Sequence, residues 1–221
     1  MVRPLLLSSP TMKTFYWLII QLARAFFTAY SGAIEVHNRG KRLQEGGAII
    51  AANHASFLDP PAVACAYDTE IWFLARKTLF KGFASWFFPR VNAFPIDREH
   101  ADIQSMKGIL RKLKSGKRVL MFPEGTRSEN GELGEAKAGI GMLVAKSGVP
   151  VQPVRIFGAY ESWPKGGKHN PHPIRVVIGD PVDFDPEDLR SKSRESYQRI
   201  ADQLMASIEA LSLDLDGGPQ Q

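Results

Sequence analysis

Five consecutive apolar residues, Ala48-Ile49-Ile50-Ala51-Ala52, break off at Asn53-His54, and the same change from apolar run to polar loop recurs down the chain. Runs rich in apolar or β-branched residues predict strands at 48–52, 70–75, 91–96, 118–122, 151–157 and 174–178. Between them the period lengthens. Over residues 99–115, Ile103, Met106, Ile109, Leu110 and Leu113 recur at helical spacing before Gly116, and Tyr197, Ile200, Leu204, Ile208 and Leu211 mark one face of a helix over 191–212. Asp59-Pro60-Pro61 reads as a helix start, because proline is favoured in a first turn. This alternation predicts an α/β fold with a mostly parallel or mixed central sheet flanked by helices, and it makes the loops at strand ends the natural places for chemistry. The two prolines of Val149-Pro150-Val151-Gln152-Pro153-Val154 suit an edge strand or an irregular start better than a central ladder.

The amino-terminal pattern is different. Phe15 to Tyr30 is apolar but interrupted by Arg24, which is costly at the centre of a spanning helix, and no small-residue cleavage site follows it. The reading is a helix lying in a membrane interface, with Tyr16, Trp17 and Tyr30 as aromatic anchors and Lys13 and Arg24 near head groups; the alternative is a helix packed on the domain core. The expected organisation is a membrane-associating helix over 1–33, one folded domain over 34–213 and a disordered tail over 214–221. With 221 residues and no internal linker, one domain with a sizeable core is enough.

Charge narrows the partners. Lys and Arg outnumber Asp and Glu by 28 to 23, which favours anionic partners such as a phospholipid surface or a phosphorylated substrate. Five aromatics in residues 80–88, flanked by Lys81 and Arg90, form a membrane-facing patch, the wall of an acyl groove, or core. No recognisable nucleic-acid module accompanies them. The single cysteine, Cys65, excludes an internal disulfide framework and a cysteine-based zinc site, and it favours a reducing compartment.

The candidate chemistry begins at Asn53-His54-Ala55-Ser56-Phe57-Leu58-Asp59, an imidazole at a strand end and a carboxylate at a helix start. A carboxylate on one ring nitrogen sets the tautomer and stabilises the imidazolium, so His54 and Asp59 form the base half of a triad. No protein nucleophile completes it, which suggests that the base acts on a hydroxyl carried by a substrate. Taken alone, the pair is also compatible with a histidine held for structure only. Phe122-Pro123-Glu124-Gly125-Thr126-Arg127 follows another strand. There Gly125 permits close backbone approach, Thr126 offers a hydroxyl, Arg127 a fork for phosphate or carboxylate, and Glu124 could hold that arginine or bind a substrate hydroxyl. Asp97-Arg98 and Arg76-Lys77 follow two more strands, so three successive strand ends each deliver a cation.

In this order the segments resemble the four sequence blocks of the glycerolipid acyltransferase family that includes 1-acylglycerol-3-phosphate acyltransferases. The blocks are Asn53 to Asp59, with its His-x-x-x-x-Asp pattern; Phe94 to Arg98; Phe122 to Arg127; and Val149 to Val154. Asn92 stands where glycine is common, Pro95 interrupts an apolar pair, and Gln152 replaces an apolar residue. The resemblance implies transfer of a fatty acyl group from acyl-CoA or acyl carrier protein to the free hydroxyl of lysophosphatidic acid or another lysolipid, at the cytoplasmic face of a membrane. His54 would be the base and Asp59 its orienting partner. Arg98 and Arg127 would bind the acceptor phosphate, and Glu124, Gly125 and Thr126 would line the same site; Lys77 joins them on position and charge alone. Neither metal nor organic cofactor is implied, and donors for the oxyanion are expected near the helix that starts at Asp59. The competing classes are a noncatalytic lipid-binding module and a thioester hydrolase.

Overall fold

The computed structural model describes residues 13–96 and 103–213. The expected tail and Arg98 lie outside them. Seven strands form one sheet in the order β1 (Glu35–His37), β7 (Arg175–Ile178), β6 (Val151–Phe157), β2 (Ala48–Ala52), β5 (Arg118–Met121), β3 (Ile71–Arg76) and β4 (Ala93–Ile96). Every pairing is parallel except β6 with β7. This is the mixed, mostly parallel sheet that the alternating pattern implies. β2 is buried at all five positions, as its unbroken apolar run requires.

Two apolar layers cover the sheet. One face carries α1 (Thr14–Ser31) and α2 (Asp59–Ala66), and the other α4 (Ile103–Lys114), α5 (Ala138–Ser147) and α8 (Arg194–Glu209). Three shorter helices, α3 (Phe83–Arg90), α6 (Ala159–Ser162) and α7 (Pro186–Arg190), fill connections. The helix expected over 191–212 is α8, a little shorter at both ends, and α7 precedes it. Asp185 caps α7 through the Glu187 N–H, and Ser193 caps α8 through the Ser196 N–H, so each polar residue starts a separate helix. β1 and α5 had no counterpart in the apolar pattern: β1 has only three residues, and α5 is apolar with two glycines inside it.

β6 is a correction. It lies between β7 and β2, in the interior of the sheet. Pro153 is tolerated because the register with β2 turns its missing N–H towards β7, which ends at Ile178, and there the Gly179 N–H donates to the Pro153 carbonyl. Its neighbour Gln152 is fully buried, yet all its hydrogen-bonding groups are engaged. The amide nitrogen donates to the carbonyls of Lys41 and Gly179, and the oxygen accepts from the Leu43 N–H and the Tyr67 hydroxyl. Asn92, the residue found in place of glycine, sits at φ 61°, in the left-handed region that asparagine tolerates best after glycine. It belongs to the turn before β4, which is why that strand starts at Ala93 and not at Val91. Pro95 is harmless on β4, an edge strand.

α1 packs on the domain core, the alternative that the sequence offered. Tyr16, Ile20 and Phe27 pack into the core beside α2, and burial of an Ile or Phe contributes about 1.5–3 kcal/mol. Tyr16 is thus no membrane anchor: it is 1% exposed and its hydroxyl accepts from the Ile71 N–H. Tyr30 is half-buried and donates to the Ser162 carbonyl. The opposite arc of α1 exposes Trp17, Leu18, Leu22 and Phe26, and Phe15 meets Trp86 and Phe87 of α3 edge to face. No helix among the described residues is long and apolar enough to cross a membrane.

Candidate active site

The parallel strands β2, β5 and β3 deliver their following loops to one end of the sheet. After β2, the Asn53 amide continues the ladder one residue further: it donates to the Ile156 carbonyl and accepts from the Ile156 N–H at 2.7 Å. His54 follows immediately, and its Nδ1 lies 2.7 Å from Oδ2 of Asp59, which is completely buried. The same oxygen accepts from the N–H groups of Ala55 and Ser56, both at 2.7 Å. Three donors thus converge on one carboxylate oxygen. That convergence requires the five-residue spacing, because the chain must turn back on itself between imidazole and carboxylate. An ionised carboxylate only accepts, so Nδ1 carries the proton and Nε2 is left with its lone pair.

Most of the amides expected as oxyanion donors are already engaged, that of Phe57 excepted. The N–H groups of Ala55 and Ser56 serve Asp59, that of Leu58 serves the Ser56 hydroxyl, and that of Asp59 serves the Ser56 carbonyl. The next two residues are prolines.

The loop after β5 clamps the histidine. Glu124 is buried, with one carboxylate oxygen accepting from the His54 N–H at 2.8 Å and the other from the Gly134 N–H at 3.2 Å. The Ser128 N–H donates to the His54 carbonyl at 2.7 Å, and the Phe122 ring stacks on the imidazole at 3.9 Å between centroids, 12° from parallel. Gly125 makes the intervening turn at φ 72°, which a side chain would strain. Burial pushes the Glu124 carboxyl above the usual carboxylate range, against the two N–H groups that hold it down; the Asp59 charge adds to the rise. Neither expected role of Glu124 is seen: it is absent from the cleft wall and forms no ion pair with Arg127 among the described residues.

His54 opens onto a cleft of about 620 Å³. Gly125, Thr126 and Arg127 form one wall, Phe57, Phe73, Leu79 and Phe88 supply apolar surface, and Arg76 and Lys165 add charge. The Arg127 guanidinium carbon lies 3.6 Å from the centre of the Phe57 ring, and its buried Nη1 has no hydrogen-bond partner among the described residues. Burial lowers the Arg127 pKa from its ordinary value while the Asp59 charge opposes that shift. Of the expected residues, the structure brings His54, Asp59, Gly125, Thr126 and Arg127 together. Lys77 is exposed in the 3-10 turn after β3 and does not line the cleft, whereas its neighbour Arg76 does.

Lys165 has no counterpart in the sequence reading. It reaches the cleft because Ser56 pairs with Pro164 and donates its hydroxyl to the Trp163 carbonyl, drawing the turn after α6 beside the His54 loop. Its ammonium sits 2.8 Å from Glu129, just beyond the Arg127 loop. No local signal marks it, since α6 separates it from the end of β6. The aromatic patch divides in the structure: Phe88 faces the cleft, whereas Phe83 is 74% exposed.

Residues 33–157 match the sequence model of the acyltransferase family, over half of the chain and across the loops that carry His54, Asp59, Glu124 and Arg127. The chain belongs to the acyltransferase family. Among relatives of this chain is the chloroplastic 1-acyl-sn-glycerol-3-phosphate acyltransferase of Brassica napus, 30% identical over 69% of this chain and 47% of its own length. The chain therefore spans about half of that relative. It matches 91% of the 1-acyl-sn-glycerol-3-phosphate acyltransferase of Bacillus subtilis, at 28% identity over 84% of this chain. Among solved structures, the 1-acyl-sn-glycerophosphate acyltransferase of Thermotoga maritima superposes with a TM-score of 0.69 at 27% identity, covering 89% of this chain and 80% of the other. The acyltransferase fold is thus common to both.

Proposed function

We propose that this acyltransferase moves a fatty acyl group from a thioester of CoA or acyl carrier protein to the free hydroxyl of lysophosphatidic acid, giving phosphatidic acid. The observation that carries the reading is the 2.7 Å His54–Asp59 contact opening onto a cleft with both cationic and apolar walls. Nε2 of His54 takes the proton of the acceptor hydroxyl as its oxygen attacks the thioester carbon. Asp59 holds the ring and stabilises the imidazolium, and the tetrahedral oxyanion collapses by expelling the thiolate, which recovers the proton from His54. The products are one ester and one thiol. Arg127 supplies an unpaired guanidinium nitrogen for the acceptor phosphate, with Arg76 and Lys165 adding charge and Arg98 assigned to the same task from its place in the second block. With the N–H groups of Ala55, Ser56, Leu58 and Asp59 committed, and that of Gly125 held by the Phe122 carbonyl, donors for the oxyanion come from the backbone of Phe57, Thr126 and Arg127.

Membrane attachment belongs to the same reading. The exposed arc of α1 with Leu79, Phe83 and Trp86 forms an apolar surface continuous with the cleft wall at Phe88, suited to the cytoplasmic face of a bilayer from which the lysolipid enters. The test is purified protein offered a panel of lysolipids with acyl-CoA and acyl carrier protein thioesters, products being identified by mass spectrometry. Phosphatidic acid is the expected product. Transfer only to a phosphate-free acceptor refutes the phosphate roles, free fatty acid alone identifies a hydrolase, and no turnover with any pair sinks the enzymatic reading.

A further inference from the structure

A second cationic cavity, of about 290 Å³, lies on the flank of α1 away from the cleft, lined in part by Arg24, Thr28, Arg39, Arg42, Cys65 and Asp68. Two of its three arginines have structural employment. Arg24 donates to the Cys65 carbonyl and Arg42 to the Ala66 carbonyl, so both sit at the carboxyl end of α2, where cations are favoured. Both also reach Asp68, at 3.6 and 2.6 Å. Arg39 differs. Its Nε is buried without a hydrogen-bond partner, and its side chain forms no ion pair among the described residues. Three guanidinium groups thus face one carboxylate, and burial pushes the Cys65 thiol up to about 11, so it adds no negative charge at neutral pH. A buried, unbonded guanidinium nitrogen is costly unless something of opposite charge meets it.

We infer that this cavity is a binding site for a phosphate group, separate from the catalytic cleft, and that its source is the head group of an anionic membrane phospholipid. The position argues for the lipid. Trp17, Arg24 and Thr28 recur at positions i, i+7 and i+11 of α1, so they share one flank, bordering the arc that exposes Leu18, Leu22 and Phe26. A helix lying on a bilayer with that arc inward carries its flanking cations at head-group depth. The phosphate chemistry stands on the cavity alone, whereas the lipid source rests on the membrane reading of α1.

The test compares wild type with Arg39→Gln and Arg39→Glu. Among the described residues Arg39 donates no side-chain bond, so both variants should fold and keep wild-type acyl transfer in detergent micelles. Flotation with vesicles of phosphatidylcholine, alone and with phosphatidylglycerol, measures the preference for anionic lipid. Melting temperature with and without inorganic phosphate at matched ionic strength measures the free anion. The expected result is that wild type prefers anionic vesicles and that Arg39→Gln weakens this preference by about tenfold, the loss of one charge-assisted contact, with a larger loss for Arg39→Glu. If phosphate raises the wild-type melting temperature only while vesicle preference is shared, the site takes a free anion and the lipid source is rejected. Identical vesicle preference and identical phosphate response in all three proteins overturn the site itself. Failure of every protein to float on any vesicle would reject the membrane reading, while the melting measurement would still decide whether the cavity binds phosphate.

Discussion

The loops around His54 and the surface shared by α1 and α3 are built in opposite ways. Around His54, polar groups are buried and paired: Asp59 Oδ2 accepts three donors, and Glu124 ties the His54 loop to the Gly134 segment. On α1 and α3, large apolar side chains are left in the open, with Leu22 58% and Phe83 74% exposed. The first region holds each group through specific hydrogen bonds, so exchange of one partner disturbs the others. The second offers area and no particular geometry, so it tolerates rearrangement but not loss of hydrophobicity. Chemistry and attachment should therefore separate in experiment.

The largest effect is expected at Asp59. Asn at this position presents an amide to Nδ1 and favours the wrong tautomer, so Asp59→Asn should cut turnover by roughly 10³–10⁴-fold while the fold persists. A loss below tenfold would make the pair structural. Glu124→Gln should come next. One of its two bonds becomes a donor facing a donor, which costs about 1.5–3 kcal/mol, and a slackened His54 loop should lower kcat by roughly 10–100-fold with the KM for lysolipid little changed. A rise in KM at constant kcat would return Glu124 to the substrate site. On the other region, the double change Leu22→Ser with Phe83→Ser should weaken vesicle binding by about tenfold and leave turnover on micellar substrate intact. Equal loss of both would show that attachment and chemistry are not separable.

The smallest effect is in pH dependence. Because burial raises the Glu124 pKa on folding, the folded state holds that proton more tightly than the unfolded chain. The group's contribution to stability is complete below its unfolded pKa and falls as pH rises through the folded one. Urea midpoints of wild type and Glu124→Gln, measured from acid to neutral pH, should show the wild type losing ground as pH rises; parallel curves would contradict the assignment.

What could be read in the sequence divides along the same line. His54, Asp59 and the Gly125-Thr126-Arg127 wall were legible because short-range spacing determines them: a strand end, a turn and a helix start leave the side chains few alternatives. The central strands were legible for a similar reason, since burial on both faces demands unbroken apolar runs. The role of Glu124 was not, because its partner Gly134 lies ten residues on and backbone donors carry no residue code. Lys165 depends on the Ser56 to Pro164 pairing across more than a hundred residues, and β6 was misplaced because Pro153 marks an edge unless one knows that the next strand stops beside it. For α1, composition showed a helix with an apolar surface, but which side the core would claim depended on α2.

The central claim is that His54 withdraws the proton from a hydroxyl of the substrate. The most direct measurement is the turnover of folded His54→Ala with lysophosphatidic acid and an acyl thioester, alongside a circular dichroism spectrum matching wild type. The account predicts a fall of at least roughly 10²–10⁴-fold, as for removal of a general base. Turnover near that of wild type would contradict it.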